Sequence, residues 1–183
     1  MADADLTTLE AVKAYMLTRM EIENPDADTD ALISSLITAE SKRIEKFLGQ
    51  PVKRQAQTQK IDGPGRNRIQ VKFGPVQDVV SITYPGSSMN TVYAWDGYRI
   101  VNPDGIFPRG KLNVIVEFEA GYTEVPEDIA QACNELVAIR FRERSRIGEL
   151  SRQNGNGEVS SFFSGDMPAS VKNALTPYKR VRW

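Results

Sequence analysis

Four arginines, Arg140, Arg142, Arg144 and Arg146, alternate through the last turns of one amphipathic stretch. A guanidinium is a planar, permanently charged donor fork, so its chemistry is recognition of carboxylates and phosphates, with no part in proton transfer. Alternation points the four all round a helix axis instead of along one stripe. One use of such charge is to complement the negative C-terminal end of the helix, worth about 0.3–1 kcal/mol for each exposed cation. The other is an electrostatic contact surface for nucleic acid or for an acidic protein face. A second group lies near the C-terminus, where Phe162 and Phe163 precede LTPYKRVRW, which carries Tyr178, Lys179, Arg180, Arg182 and Trp183. Aromatics beside arginines are enriched among interface anchors, so this segment reads as a partner-docking arm. Its alternative is that Tyr178 and Trp183 tuck onto the chain's own core.

Catalytic chemistry has little to work with. The chain has no histidine and one cysteine, Cys133. Ser-His and Cys-His nucleophile pairs, an intrachain disulfide and the usual zinc sets are therefore excluded. Cys133 falls in the pattern Ile129, Cys133, Leu136, where a small buried hydrophobe is expected and not a reactive thiol. The acidic residues sit mostly at expected helix starts and on exposed faces, where capping and solvation account for them. No set has catalytic spacing, so the chain is expected to be no enzyme and to take no cofactor or metal. No apolar run reaches bilayer length, and the acidic opening MADADLTTLE is unlike a secretory leader. Synthesis in the cytoplasm and no membrane contact are the expectations.

The net charge of −1 conceals segregation along the chain. From Arg140 to Trp183 nine basic residues face four acidic ones, whereas Met1 to Asp30 holds two basic and eight acidic residues. Such polarity suits head-to-tail contact between copies as well as it suits DNA. A sequence-independent DNA-binding protein using the arginine-rich helix end is the alternative function, although such domains are usually clearly basic.

These residues must be positioned by an α+β chain with an ordinary globular composition. Thr7 with Glu10 reads as a capping box, followed by Leu9, Val12, Met16 and Met20 at helical spacing, for a first helix over 8–20. Asp28 or Thr29 caps a second over 29–48, whose apolar face carries Ile33, Leu36, Ile37, Ile44, Phe47 and Leu48 and which stops at Gly49. The pair should form a helical hairpin. From 52 to 122 the period becomes two, with short β-branched and aromatic runs separated by Gly, Pro and Asp-Gly turns, which predicts an antiparallel meander. In its last run Leu112, Val114, Val116 and Phe118 face one way, so the sheet is covered on one side, with the helices expected as cover. A third helix over 127–147 starts behind Pro126 with Glu127 and Asp128 at its positive end, and packs through Leu136, Val137 and Phe141. The expected organisation is a small helical bundle with an inserted β-meander over 1–150, then a flexible C-terminal arm with a short helix over 151–183. The polar, glycine-bearing stretch SRQNGNGEVSSFFSGD is the reason for expecting mobility in that arm.

In the order of its elements the chain resembles the head–tail connector (head-completion adaptor) proteins of long-tailed bacteriophages. The likeness rests on LTTLEAVKAYM, DALISSLITAESKRIEKFLGQ, FGPVQDVVSI, VEFEAGYTEVPEDIAQACNELVAIRF and LTPYKR, and so covers about residues 6–180. Its most recognisable piece is a strand closing on Ala120, Gly121 and Tyr122, then Val125 and Pro126, then a long helix. The resemblance implies a structural virion protein of the neck, made in the bacterial host cytoplasm, that catalyses nothing. It implies a homo-oligomeric ring under the portal, twelve copies in the virion, that completes the DNA-filled head, extends the DNA channel and joins head to tail. Its partners would be other copies of itself, the portal protein, a tail or tail-terminator protein, and the packaged DNA passing through. Arg140, Arg142, Arg144 and Arg146 would then face a neighbouring copy, the portal or the DNA, and the arm from Phe162 to Trp183 would order on docking to the portal. A closed ring needs a heterologous interface, which the acidic N-terminal helices and the basic third helix of the next copy could form.

Overall fold

Thr8, and not Thr7, caps the first helix: its hydroxyl oxygen accepts the Ala11 amide at 3.1 Å. Thr7 instead donates its hydroxyl to Asn134 Oδ1 at 2.7 Å. The structure, a computed structural model, describes residues 5–19, 27–86, 92–144, 151–153, 159–161 and 167–180. Its elements are α1 (Leu9–Arg19), α2 (Ala27–Leu48), β1 (Gln55–Gly63), β2 (Arg68–Gln70), β3 (Val76–Thr83), β4 (Ala94–Asp96) and β5 (Arg99–Val101). They continue with β6 (Gly110–Ala120), α3 (Glu127–Glu143), β7 (Ser151–Gln153), β8 (Val159–Ser161), α4 (Ala169–Leu175) and a closing 3-10 turn, Thr176–Tyr178. The chain is thus α+β, in two compact units: Met1–Ile44 with Glu127–Tyr178, and Glu45–Pro126 with Lys179–Trp183. The second helix begins at Ala27, so Asp28 and Thr29 lie in its first turn and do not precede it.

In the helical unit α3 is the axis of packing, with α1 and α4 both laid against it. Its buried stripe is Ile129, Ala132, Cys133, Leu136, Val137, Ala138 and Phe141, recurring every three or four residues as one helix face must. Val12 and Met16 of α1 and Ile33, Ile37 and Ile44 of α2 are buried in the same unit. Lys13 Nζ lies 2.6 Å from the Asp30 carboxylate and links α1 to α2. A polar seam holds residues 5–7 in place, with the Leu6 amide donating to Ser41 Oγ at 3.0 Å and Thr38 Oγ1 donating to Asp5 Oδ1 at 2.8 Å. Because each of these groups has a partner, its burial avoids the full desolvation penalty of an unpaired polar group. Met167, Val171 and Leu175 are also buried, so residues 167–178 form a folded, largely helical segment carrying part of this unit's core. β7 and β8 pair antiparallel, a ladder that the polar sequence between Ser151 and Ser161 does not announce.

The β unit is antiparallel in its ladders, as expected, but its strands do not pair in chain order. β6 lies between β1 and β3 in one sheet, and β5 lies between β2 and β4 in the other. Among the described strands of this unit only β4 and β5 pair as chain neighbours, turning on Gly97-Tyr98 with Gly97 at φ +54°, while Asp96 is still paired with Arg99. The meander reading failed because short turns fix where strands end but not which strand each will meet. The face of β6 carrying Val114, Val116 and Phe118 is buried, as its alternation requires. Leu112 breaks from that stripe: it has φ +48° and is 63% exposed, with its amide held by Asp62 Oδ1 at 2.7 Å. Ile69, Val71, Ile100 and Phe107 of this same unit form a buried cluster with that face of β6, where the one-sided pattern had suggested helices as the cover. Burying a Val or Phe side chain in such a cluster stabilises by about 1.5–3 kcal/mol each.

Candidate interaction surfaces

Each described arginine at the end of α3 has a different environment. Arg140 Nε donates to Glu40 Oε1 at 3.3 Å, and the same Glu40 carboxylate takes Arg43 at 3.2 Å. The Glu40 side chain is 6% exposed while that of Arg140 is 46% exposed, so the arginine covers a buried acid and keeps part of its surface in water. Arg144 folds back on its own helix: it donates to the Phe141 carbonyl at 2.6 Å, and its guanidinium carbon lies 3.7 Å from the centre of the Phe141 ring. This joins C-terminal carbonyl capping to a cation–π contact. Arg142 is exposed and forms no ion pair or hydrogen bond with the described residues. The helix therefore does not gather its arginines into one site. Arg146 lies outside the described residues.

Of the expected docking arm, Phe162, Phe163, Arg182 and Trp183 lie outside the described residues. Tyr178 donates its hydroxyl to Asp128 Oδ2 at 3.1 Å, at the N-terminal turn of α3. The Arg180 amide donates to the Leu48 carbonyl at 2.9 Å, satisfying one of the orphan acceptors at the end of α2. Lys179 Nζ sits 4.4 Å above the centre of the Phe47 ring. All three are held by their own chain, while Lys179 remains exposed.

The Ala120-Gly121-Tyr122 turn owes its composition to a backbone junction. Gly121 has φ +111°, and a Cβ there would meet the Lys53 carbonyl oxygen at 2.4 Å. Its amide donates to Pro75 O at 3.0 Å, the Tyr122 amide to Val52 O at 2.7 Å, and the Arg54 amide to Tyr122 O at 3.0 Å. Three chain segments are stitched here through main-chain groups, so glycine is the residue that fits. Burial, with a smaller contribution from Tyr98, pushes the Tyr122 hydroxyl above its ordinary pKa.

Cys133 is buried, with Ser41 Oγ 3.7 Å from its sulfur. Loss of solvation pushes its thiol up to about 11, so it stays protonated and unreactive near neutrality, as the core reading required. Among the described residues no group of three or more His, Cys, Asp or Glu side chains could hold a metal ion. No helix among them is long and apolar enough to cross a membrane.

Sequence reading missed Arg66, Arg68 and Arg99, which line one cavity of the β unit. The stretch GPGRNR contains two of them and reads only as a long turn. The third joins them through strand pairing, which no local pattern reveals.

A family model described as head completion protein matches residues 5–181. No curated protein sequence matches the chain significantly. Among solved structures, a chain in the neck of an empty GTA particle computed with C6 symmetry is similar, with TM-score 0.60 and 16% identity, over 100% of this chain and 94% of that one. A chain in the neck of a native GTA particle computed with C12 symmetry gives TM-score 0.59 and 15% identity, over 100% and 93%. A chain in the virion of a native gene transfer agent particle gives TM-score 0.58 and 15% identity, over 100% and 94%. At these identities the likeness is one of fold.

Proposed function

Because the chain belongs to the head completion protein family, we propose that it is a structural protein of the particle neck. In this reading it forms a homo-oligomeric ring beneath the portal, completes the DNA-filled head, extends the DNA channel, and joins head to tail without catalysing a reaction. The observation that carries it is the family match over residues 5–181, and fold similarity to chains of GTA necks along the full chain supports it. Those necks were computed with C6 and C12 symmetry, which suits twelve copies about one axis. Immunogold labelling of particles tests the placement: label at the head–tail junction is expected, and label on the capsid wall or tail tip contradicts it.

Ring closure needs two different patches that meet on neighbouring copies. Among the described arginines the exposed Arg142, with no ion pair there, is the best placed to reach an acidic N-terminal segment of the next copy, and Arg140, Arg144 and Arg146 are assigned to the same contact. Charge reversal at Arg142 and Arg144 should weaken assembly, measured as loss of ring species by native mass spectrometry. An unchanged ring removes these residues from the interface.

Docking to the portal is assigned to Phe162, Phe163, Tyr178, Lys179, Arg180, Arg182 and Trp183. A stop after Arg180 keeps every contact of α4 with the described residues, so it should spare the fold while weakening attachment to portal-bearing heads. Full attachment by that shortened chain takes Arg182 and Trp183 out of the docking surface.

A further inference from the structure

A cavity of about 430 Å³ in the β unit is lined by Asp62, Arg66, Arg68, Ile69, Gln70 and Arg99 among others. Arg68 and Gln70 are two apart on β2 and so share a face, and Gln70 stands directly opposite Arg99 on β5. Ile69 and its partner Ile100 point the other way and are buried. Strand alternation therefore sends the polar set away from the core, and Arg66 joins it from the turn before β2. None of the three guanidinium groups forms an ion pair with a described residue. The single acidic group of the lining, Asp62, already accepts the Leu112 amide at 2.7 Å. Gln70 adds a buried amide nitrogen that finds no acceptor among the described residues. Three cations with one engaged carboxylate repel one another, and an unpaired donor beside them leaves the site short of acceptor oxygens.

We propose that this basin binds backbone phosphates of double-stranded DNA. Guanidinium forks match phosphate oxygens in pairs, and forks from three separate chain positions can take successive groups along a phosphate backbone. A single side-chain carboxylate offers one planar partner and leaves the remaining forks unmatched. The choice of DNA as occupant rests on the neck reading, in which packaged DNA passes the ring. The binding chemistry rests on the cavity alone.

The test uses the full chain, a labelled duplex of about 30 base pairs, and fluorescence anisotropy from about 50 to 200 mM salt, a range over which phosphate contacts weaken steeply. The R66A/R68A/R99A variant should bind at least tenfold more weakly at the lowest salt, with a log–log salt slope reduced by about 2–3. The R66K/R68K/R99K variant should keep most of the slope and lose affinity, because charge remains and the fork is gone. All three positions are exposed, and thermal melting checks that each variant is folded. No duplex binding by the wild type, or equal binding by the alanine variant, overturns the proposal. Inorganic phosphate that protects the basin while duplex does not bind identifies a free-oxyanion site and also overturns it. Preferential binding of a peptide spanning residues 1–30 identifies an acidic protein partner instead. The neck reading is scored separately, by whether the wild-type chain joins heads to tails, so either can fail while the other stands.

Discussion

Arginine is used in opposite ways in the two units. In the helical unit, Arg43 and Arg140 close on one buried carboxylate, Glu40, and Arg144 covers its own helix end. In the β unit, Arg54 pairs with Glu119, but Arg66, Arg68 and Arg99 share a cavity whose one acid is already engaged. The first arrangement makes sense as stability. The second lowers stability unless something outside the chain completes it, which is the usual mark of a surface kept for binding. Arg142 in the helical unit belongs with the second kind, being exposed and unpaired among the described residues.

The sharpest way to break this contrast is to remove what each unit depends on. Truncation after Gly157 deletes Met167, Val171 and Leu175 from the helical core, three buried side chains worth about 1.5–3 kcal/mol each. Chemical denaturation should show the helical unit largely unfolded, and a cooperative transition at the wild-type midpoint would mean α4 adds nothing to the core. Gly121→Ala should cost about 3 kcal/mol or more in the β unit, since both the positive φ and the approach of Lys53 O oppose a Cβ. A loss under about 1 kcal/mol would mean the junction relaxes freely.

Cys133 supplies a pH handle on the helical unit. Its thiol titrates at about 11 when folded against an ordinary 9, so the unfolded chain releases its proton first as pH rises. Stability from this group is complete below about pH 9 and falls by roughly 2–3 kcal/mol as pH climbs through 11. Comparing denaturation of the wild type with Cys133→Ala across that window isolates the effect, and parallel curves would contradict it. The smallest effects separate the arginines. Arg140→Ala should cost about 1 kcal/mol, because its loss leaves Glu40 with Arg43 alone, while Arg142→Ala should stay within about 0.5 kcal/mol. Equal costs would erase the distinction between the structural and the free arginine.

How much was legible in advance follows the range of the interactions. Helix limits were written locally: Glu127 and Asp128 open α3, and Gly49 closes α2 at φ +72°. The α3 core through Leu136, Val137 and Phe141 followed from periodicity alone. Strand partners were not local, since β6 meets β1 between residues as far apart in the chain as Gln55 and Ala120, and turn chemistry carries no information about such pairing. Leu112 looked like a core residue because alternation ignores a backbone kink, and its positive φ turns it outward. Arg140 was singled out for contact from its place in the series, yet the acid it pairs with is one hundred residues away. The basin arginines were invisible for the same reason, because Arg99 reaches Arg68 and Gln70 only through the register of β2 and β5.

The neck role itself is tested most directly by placing a stop codon early in this reading frame in the particle-producing genome and viewing the lysate by negative-stain electron microscopy. Separate heads and free tails, joined again when the protein is supplied, are the result expected of a head completion protein. Intact, infectious particles made without it would contradict that role.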